Sequence, residues 1–484
     1  MLTYDFSDND DMPLYERLYT NLKRDILSGF IASGEKLPSK REFAKNLGIS
    51  SITVENAYAQ LIAEGYLYAL EKKGYFVRDI TPIMKESPRV EKTSFVKKDE
   101  SSSSIMQADS NGCVDFVSGR TSPENFPFST WAKIMRQILS SEQNALMTNS
   151  PCNGIPRLRK AIAAHLSHFY GMSVLPEQIV VGAGTEYLYA QLIQLLGSNL
   201  VYGVENPGYR KPAMIYRSLG AKCCSVPLDE NGVSIESLNE CNVDVVHISP
   251  SHQFPTGITM PVSRRYELLA WASKNENRFI LEDDYDSEFR LSGKPFPTLQ
   301  SIDATGKVIY MNTFSKTLSS TVRISYMVLP LSLSERYMKT LGFYSCTVPN
   351  FEQYTLSRFI EDGYFEKHIN RMRNFYRRQN ETLLNTIRSS SCAKYISVKA
   401  ENAGLHFLLH IDTSLSDEKL VDFMQKNHIR VSCLSSFYDN PPPKDLHTLV
   451  INYSSISSGE IKSAAEKFVK AVGQIIKTRN LQEH

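Results

Sequence analysis

Residues 307–323 read KVIYMNTFSKTLSSTVR. The apolar run Val308–Met311 predicts a buried strand, and the hydroxyl-rich turn after it carries Lys316, with Arg323 seven residues on. A lysine in water is a solvated charge. At the C-terminal end of a strand in an open α/β sheet it stands where such sheets collect ligands. Its amine can there condense with an aldehyde. Thr313 and Ser315 add hydroxyl donors and Arg323 adds a planar fork of N–H groups, a set suited to a phosphate.

Working outward, the apolar runs QIVVGAG (178–184), VDVVHIS (243–249) and RFILEDD (278–284) alternate with helical stretches. That alternation predicts an α/β domain with a mainly parallel sheet flanked by helices. Beyond about residue 390, LHFLLHI, IRVSCL and TLVINY mix strands with helices, which predicts a smaller C-terminal α+β subdomain over about 390–480. Asp283 follows the run RFIL at a strand end, where a carboxylate can keep a ring nitrogen protonated, and Tyr285 can donate to a ring oxygen. VVGAGTEYLY joins strand to helix through Gly182 and Gly184, so the amides of Thr185 and Glu186 form an anion cup at the helix start. In VENPGYR, Tyr209 can cover a ring face. A lysine, a carboxylate, a phosphate cup and an aromatic face are the four requirements of a pyridoxal phosphate site.

A different module precedes this one. Leu14, Leu18, Leu22 and Ile26 recur every four residues, one face of a helix. Ser39 and Glu42 have capping-box spacing for a second helix that Gly48 stops. Ser50 or Ser51 caps a third helix running to about Glu64. YLYALEKKGYFV follows as a hairpin around Lys72, Lys73 and Gly74. The pattern predicts a winged helix-turn-helix over 12–78, which carries ten Lys or Arg against seven Asp or Glu. Lys36, Lys40, Arg41 and Lys45 suit phosphates, with Ser39 beside them and Lys72 and Lys73 on the hairpin. Ser51, Thr53 and Asn56 stand where base edges are met in the major groove. Residues 79–112, with VKKDE and SSSSIMQADSNG, have few large apolar side chains and read as a linker to a domain over 113–480.

The bulk numbers agree with two or three domains. At 484 residues, 42% hydrophobic, the chain can bury a large core, and a net charge of +2 confines any nucleic-acid contact to a local patch. The acidic start MLTYDFSDNDDM is no secretory signal, and no stretch reaches the length of a membrane span. Eight scattered cysteines without CxxC pairs suit reduced thiols in the cytoplasm rather than a metal site.

LPSKREFAKNLGISSITVENAYAQLIAEGYLYALEKKGYFV resembles the winged helix-turn-helix of GntR-family bacterial repressors. Many relatives carry arginine directly after the serine of LGIS, where this chain has Ser51. NGIPRLRKAIAAHL, VENPGY, SHQFPTG, EDDYDSEF, TFSKTLSSTVR and AGLHF, in that order, resemble fold-type I pyridoxal-phosphate aminotransferases. The two together resemble the MocR family of transcriptional regulators. The resemblance implies that Lys316 forms the Schiff base with the cofactor, and that Asp283, Tyr285, Thr185, Glu186, Tyr209, Thr313 and Arg323 hold it. It also implies a double-stranded DNA operator, a small-molecule effector and a head-to-tail homodimer.

Two departures bear on turnover. Working aminotransferases usually carry asparagine before PTG, bound to the ring's phenolic oxygen; here that residue is Phe254, with Gln253 or His252 as substitutes. The arginine that clamps a substrate carboxylate is matched by Val450 in LVINY, with Arg210, Lys211 or Arg430 as substitutes and His406 as a further candidate to face the site. These changes lead us to expect a regulator with weak or absent turnover. It would sense pyridoxal phosphate itself, or an amine or amino acid exchanged at Lys316. The alternatives are an active aminotransferase with an appended DNA-binding domain and a fold that has lost the cofactor and only dimerises.

Overall fold

The computed structural model describes Tyr4 and residues 12–79, 112–291, 296–400, 404–440, 442 and 444–482. The chain divides into two compact units, Met1–Asp109 and Ser110–His484. Most of the expected linker, residues 80–111, lies outside the described residues.

In the first unit, helix Leu14–Leu27 buries Leu18, Leu22 and Ile26, while Leu14 at its start stays largely exposed. Helix Lys40–Leu47 begins at Ser39, whose side chain accepts from the Glu42 amide at 3.3 Å. It ends at Gly48, whose φ of 66° is the left-handed conformation glycine adopts at low cost. The cap of helix Ser51–Ala63 is Ser50, accepting from the Thr53 amide at 3.1 Å; Ser51 is the helix's first residue. Val54, Ala57, Tyr58 and Leu61 bury the helix against Leu18, Leu22 and Phe43. The wing pairs Leu67–Leu70 with Gly74–Val77, and a third strand, Lys36–Leu37, adds to its other edge. Lys36 thus belongs to the wing and not to the helix that carries Lys40, Arg41 and Lys45; two residues are too few to show an alternating pattern in the sequence.

The second unit is built on an eight-stranded sheet. Its order is Ile179–Gly182, Ser325–Val328, Val308–Thr313, Phe279–Asp284, Val245–Ile248, Val201–Asn206, Lys222–Asp229 and Gly232–Val233. The pairings among 308–313, 279–284, 245–248, 201–206 and 222–229 are parallel. Strand 325–328 runs against both neighbours, and 232–233 turns back on 222–229. The central strands are nearly continuous buried runs, as a sheet covered on both faces requires. The C-terminal part packs an antiparallel sheet, Ile396–Lys399, His406–Ile411, Thr448–Asn452 and Ser432–Cys433, beside helices Tyr364–Arg388 and Ile461–Gln482. Val114–Asp115 pairs with Ile429–Arg430, tying the start of the unit to its end.

Ser50→Ala should lower the stability of the DNA-binding unit by about 1 kcal/mol through loss of the cap. Thermal unfolding of residues 1–109 against the rest, followed by hydrogen exchange of the Ser51–Ala63 amides, checks this; unchanged protection contradicts it.

Candidate cofactor site

The C-terminal ends of the parallel strands open into a cavity of about 380 Å³. Lys316, Asp283, Tyr285 and Tyr209 line it, and so do Thr185, Glu186, Thr313, Ser315 and Arg323. Every residue the sequence assigned to the cofactor thus meets in one place. Local structure explains how. Thr313 ends a fully buried strand, and its hydroxyl accepts from the Ser315 amide at 3.1 Å, starting the single turn Phe314–Thr317 that carries Lys316. Asp283 lies on the adjacent strand, level with Met311. Gly184, at φ 93°, lets helix Thr185–Leu196 start with its amides toward the cavity.

The Lys316 ammonium donates to the Gly119 carbonyl at 3.1 Å. Burial pushes its pKa below the usual lysine range, against the pull of Asp286. A β-carbon at Gly119 would overlap Nζ and displace the lysine tip from this position. Asp283 uses its two oxygens differently. Oδ2 accepts from the Tyr189 hydroxyl at 2.6 Å and from His247 Nε2 at 3.2 Å, while Oδ1 is buried with no hydrogen-bond partner. With its proton on Nε2, His247 accepts at Nδ1 from the Tyr216 hydroxyl 2.9 Å away.

At the other end, Lys211 pairs with Glu186, and Arg323 Nη2 reaches the same carboxylate at 3.4 Å. Lys211, then the nearby Arg323, hold the Glu186 carboxyl below the usual glutamate range. Arg323 has φ 52°, a conformation that costs a residue with a side chain about 1 kcal/mol or more. A β-carbon at Gly184 would stand 2.6 Å from Arg323 Nη2. Tyr209, 54% exposed, lies at the cavity rim in edge contact with Phe254.

Several expected substitutes lie elsewhere. Phe254 lines the cavity, but His252 and Gln253 do not. Gln253 Nε2 donates to the Pro207 and Phe254 carbonyls at 2.9 and 2.7 Å, and His252 Nδ1 faces Asp286 at 2.9 Å. His406 stacks on His252 with ring centres 4.4 Å apart and is not part of the wall. Tyr285 is in the wall, yet its hydroxyl donates to the His252 carbonyl at 3.0 Å. Val450 is buried in the C-terminal sheet opposite Leu408, and Arg430 pairs with Asp115 at 3.1 Å. Lys211 alone of the proposed carboxylate clamps lines the cavity.

Tyr189, His247, Glu205 and Asn452 also stand in the wall, beyond the residues that the sequence motifs mark. Tyr189 stands four residues after Thr185 on the same helix face, and His247 is the one polar side chain in VVHI, so both left a signal. Asn452 comes from the C-terminal sheet and left none.

In the DNA-binding unit, Ser51 and Asn56 are exposed on the third helix and Lys72 and Lys73 on the wing turn. Ile52 between them is 67% exposed. Thr53 is half-buried, its hydroxyl 2.8 Å from that of Ser50. Ser39 caps the second helix and Arg41 lies in its first turn, and Lys40 between them is paired with Glu55 at 2.5 Å. Lys36 and Lys45 are exposed.

The residues present fit pyridoxal phosphate. An unpartnered buried carboxylate oxygen awaits a donor such as a protonated ring nitrogen, and a depressed lysine amine suits an aldehyde. A helix start beside an arginine suits a phosphate. Residues 14–77 match the model of the bacterial regulatory proteins of the gntR family, and 113–468 match aminotransferase class I and II. The chain is 35% identical to the uncharacterized HTH-type transcriptional regulator YdeL of Bacillus subtilis (strain 168), over 95% of this chain and 97% of that one. It is 30% identical to the probable rhizopine catabolism regulatory protein MocR of Rhizobium meliloti, over 92% and 91%. Among solved structures, an archaeal alanine:glyoxylate aminotransferase superposes with a TM-score of 0.68 at 25% identity, covering 77% of this chain and 93% of that one. The chain therefore belongs to the MocR-type transcriptional regulators, with a gntR-family DNA-binding module followed by an aminotransferase class I and II domain that binds pyridoxal phosphate.

Proposed function

We propose that the regulator reads the ligand state of the Lys316 cavity and passes it to its DNA-binding module, with pyridoxal phosphate, or an amine or amino acid that reaches Lys316, as the effector. The observation that carries this is the meeting of Lys316, Asp283 and Arg323 in one cavity of a chain that also holds a helix-turn-helix. When bound, the cofactor supplies an aldehyde for the Lys316 amine and a ring that withdraws electrons from whatever is joined to it. Lys316 offers an amine whose pKa burial has lowered, so more of it is neutral at a given pH. Asp283 Oδ1 would accept from the ring nitrogen, while His247 and Tyr189 hold the carboxylate in place. Arg323, the Thr185 and Glu186 amides, Thr313 and Ser315 would hold the phosphate, and Tyr209 would cover the ring.

Val450 at the expected clamp position favours pyridoxal phosphate itself as the signal, sensed by occupancy, with low or absent transamination. Lys211 in the wall is the feature that would favour an amino acid. Ser39, Lys36, Lys40, Arg41, Lys72 and Lys73 hold the operator backbone, and Ser51, Thr53 and Asn56 meet base edges. The protein acts in the cytoplasm as a head-to-tail homodimer on paired half-sites. Among the described residues no helix is long and apolar enough to cross a membrane.

Visible absorbance of the purified chain tests this. Added pyridoxal phosphate should give an imine band, shifted to longer wavelength than the free aldehyde and kept after dialysis, in wild type but not in Lys316→Ala. A band that amino acids leave unchanged points to the cofactor as signal, and one shifted by a single compound names the effector. Equal spectra in both proteins would sink the reading.

Arg323→Ala should weaken pyridoxal phosphate binding by about 10- to 100-fold, the worth of a charged hydrogen bond. Glu186→Gln should tighten it, because it removes the carboxylate that holds both Arg323 and Lys211. Equilibrium dialysis gives both constants, and weakening in both variants would contradict the assignment.

A further inference from the structure

The cavity wall beside Phe254 holds a carboxyl to which the reading above gives no task. Glu205 is the last residue but one of strand Val201–Asn206, and its side chain lines the cavity. Its Oε2 accepts from the Ser249 amide at 3.2 Å and from Gln253 Nε2 at 3.3 Å. Both protein donors thus fall on one oxygen, and Oε1 is left for whatever the cavity holds. Gln253 is chained to the neighbouring carbonyls of Pro207 and Phe254, so the carboxyl is held in one orientation.

The surroundings decide its charge. Packed protein pushes the Glu205 pKa up to about 8; Gln253 and Ser249 pull the other way, and Asp283 pushes up again. The groups that face it come from several elements. Asp283 stands on strand Phe279–Asp284, His247 on Val245–Ile248, and Tyr285 just beyond Asp283. Lys316 and Lys211 line other parts of the same wall. A neutral carboxylic acid donates through O–H; an ionised one only accepts. At neutral pH Glu205 therefore presents a donor to the cavity at the side where Phe254 presents none.

We propose that Glu205 donates a hydrogen bond from Oε1 to the phenolic oxygen of bound pyridoxal phosphate, taking over the task of the asparagine that Phe254 replaces. This rests on the cofactor reading above. A carboxylic acid differs from an amide in one respect: its proton can be lost. Holding of the cofactor consequently acquires a pH step that an amide does not have. The sign is fixed by the raised pKa: the donor is present below about pH 8 and lost above it. A phenolate oxygen nearby favours the protonated form and would move the step upward.

Pyridoxal phosphate affinity and visible spectrum of the full chain should be followed from pH 6 to 10 in wild type, Glu205→Gln and Glu205→Ala. At pH 7 Glu205→Gln, which keeps a donor, should bind within about twofold of wild type, and Glu205→Ala about tenfold more weakly. Wild type should weaken relative to Glu205→Gln as pH rises past the step, and the ratio of the two constants isolates Glu205 from the other titrating groups. Superimposable profiles for wild type and Glu205→Gln overturn the proposal, as does an alanine variant that binds like wild type. An absent visible band in wild type at every pH overturns the cofactor reading and this inference with it. A normal band that ignores Glu205 overturns this inference alone.

Discussion

The arrangement turns on Asp283. Its carboxylate takes two donors on one oxygen and none on the other, although the unpaired oxygen is buried. An unmet buried acceptor costs about 1–3 kcal/mol. A donor brought by a ligand recovers that cost, so the same atom that weakens the empty domain favours the filled one. Tyr189, His247 and Tyr216 are fixed by this pairing, and they come from a helix, a strand and a second helix around it. Ligand binding and domain stability are thereby linked through one side chain, as a sensor requires.

The stretch around Asp283 shows how the fold bears such a cost. Glu282, Asp284, Asp286 and Glu288 are almost fully buried. Each has a partner from a different element. Glu282 accepts from the Leu299 and Gln300 amides, Asp284 from Ser287 and Tyr310, and Glu288 from Asn312. Asp286 faces His252. Burial raises the pKa of Glu282 to about 7, Asp284 to about 6 and Glu288 to about 8. Carboxyls with raised values favour the folded state most at low pH, and this contribution declines as pH rises through those values. The acids brace the end of strand Phe279–Asp284 and the turn after it, which carry Asp283 and Tyr285 to the cavity.

Much of this was legible in the sequence, for a local reason. Lys316, Arg323, Asp283 and the Gly184 turn sit at strand ends or helix starts, where backbone geometry dictates residue type within a few positions. The capping serines and Gly48 were readable on the same grounds. What escaped depends on pairing between distant segments. Lys36–Leu37 is a strand only because Tyr75 and Phe76 lie beside it. Glu205 acquires its character from Gln253, Ser249 and Asp283, none within forty positions of it. His252 looked available to replace the missing amide, yet Asp286 and His406 hold it behind the wall. The sequence shows which chemistry is present; only the packing shows which groups face the ligand.

The measurement closest to the central claim couples the two modules. Wild type should be used to select an operator duplex from a randomised pool, and its affinity for that duplex then followed while pyridoxal phosphate is titrated. The account predicts a change of at least about fivefold in wild type, the usual lower range of an allosteric coupling, and none in Lys316→Ala. A wild-type affinity that stays constant at every cofactor concentration, with the cavity shown to be filled, would contradict it.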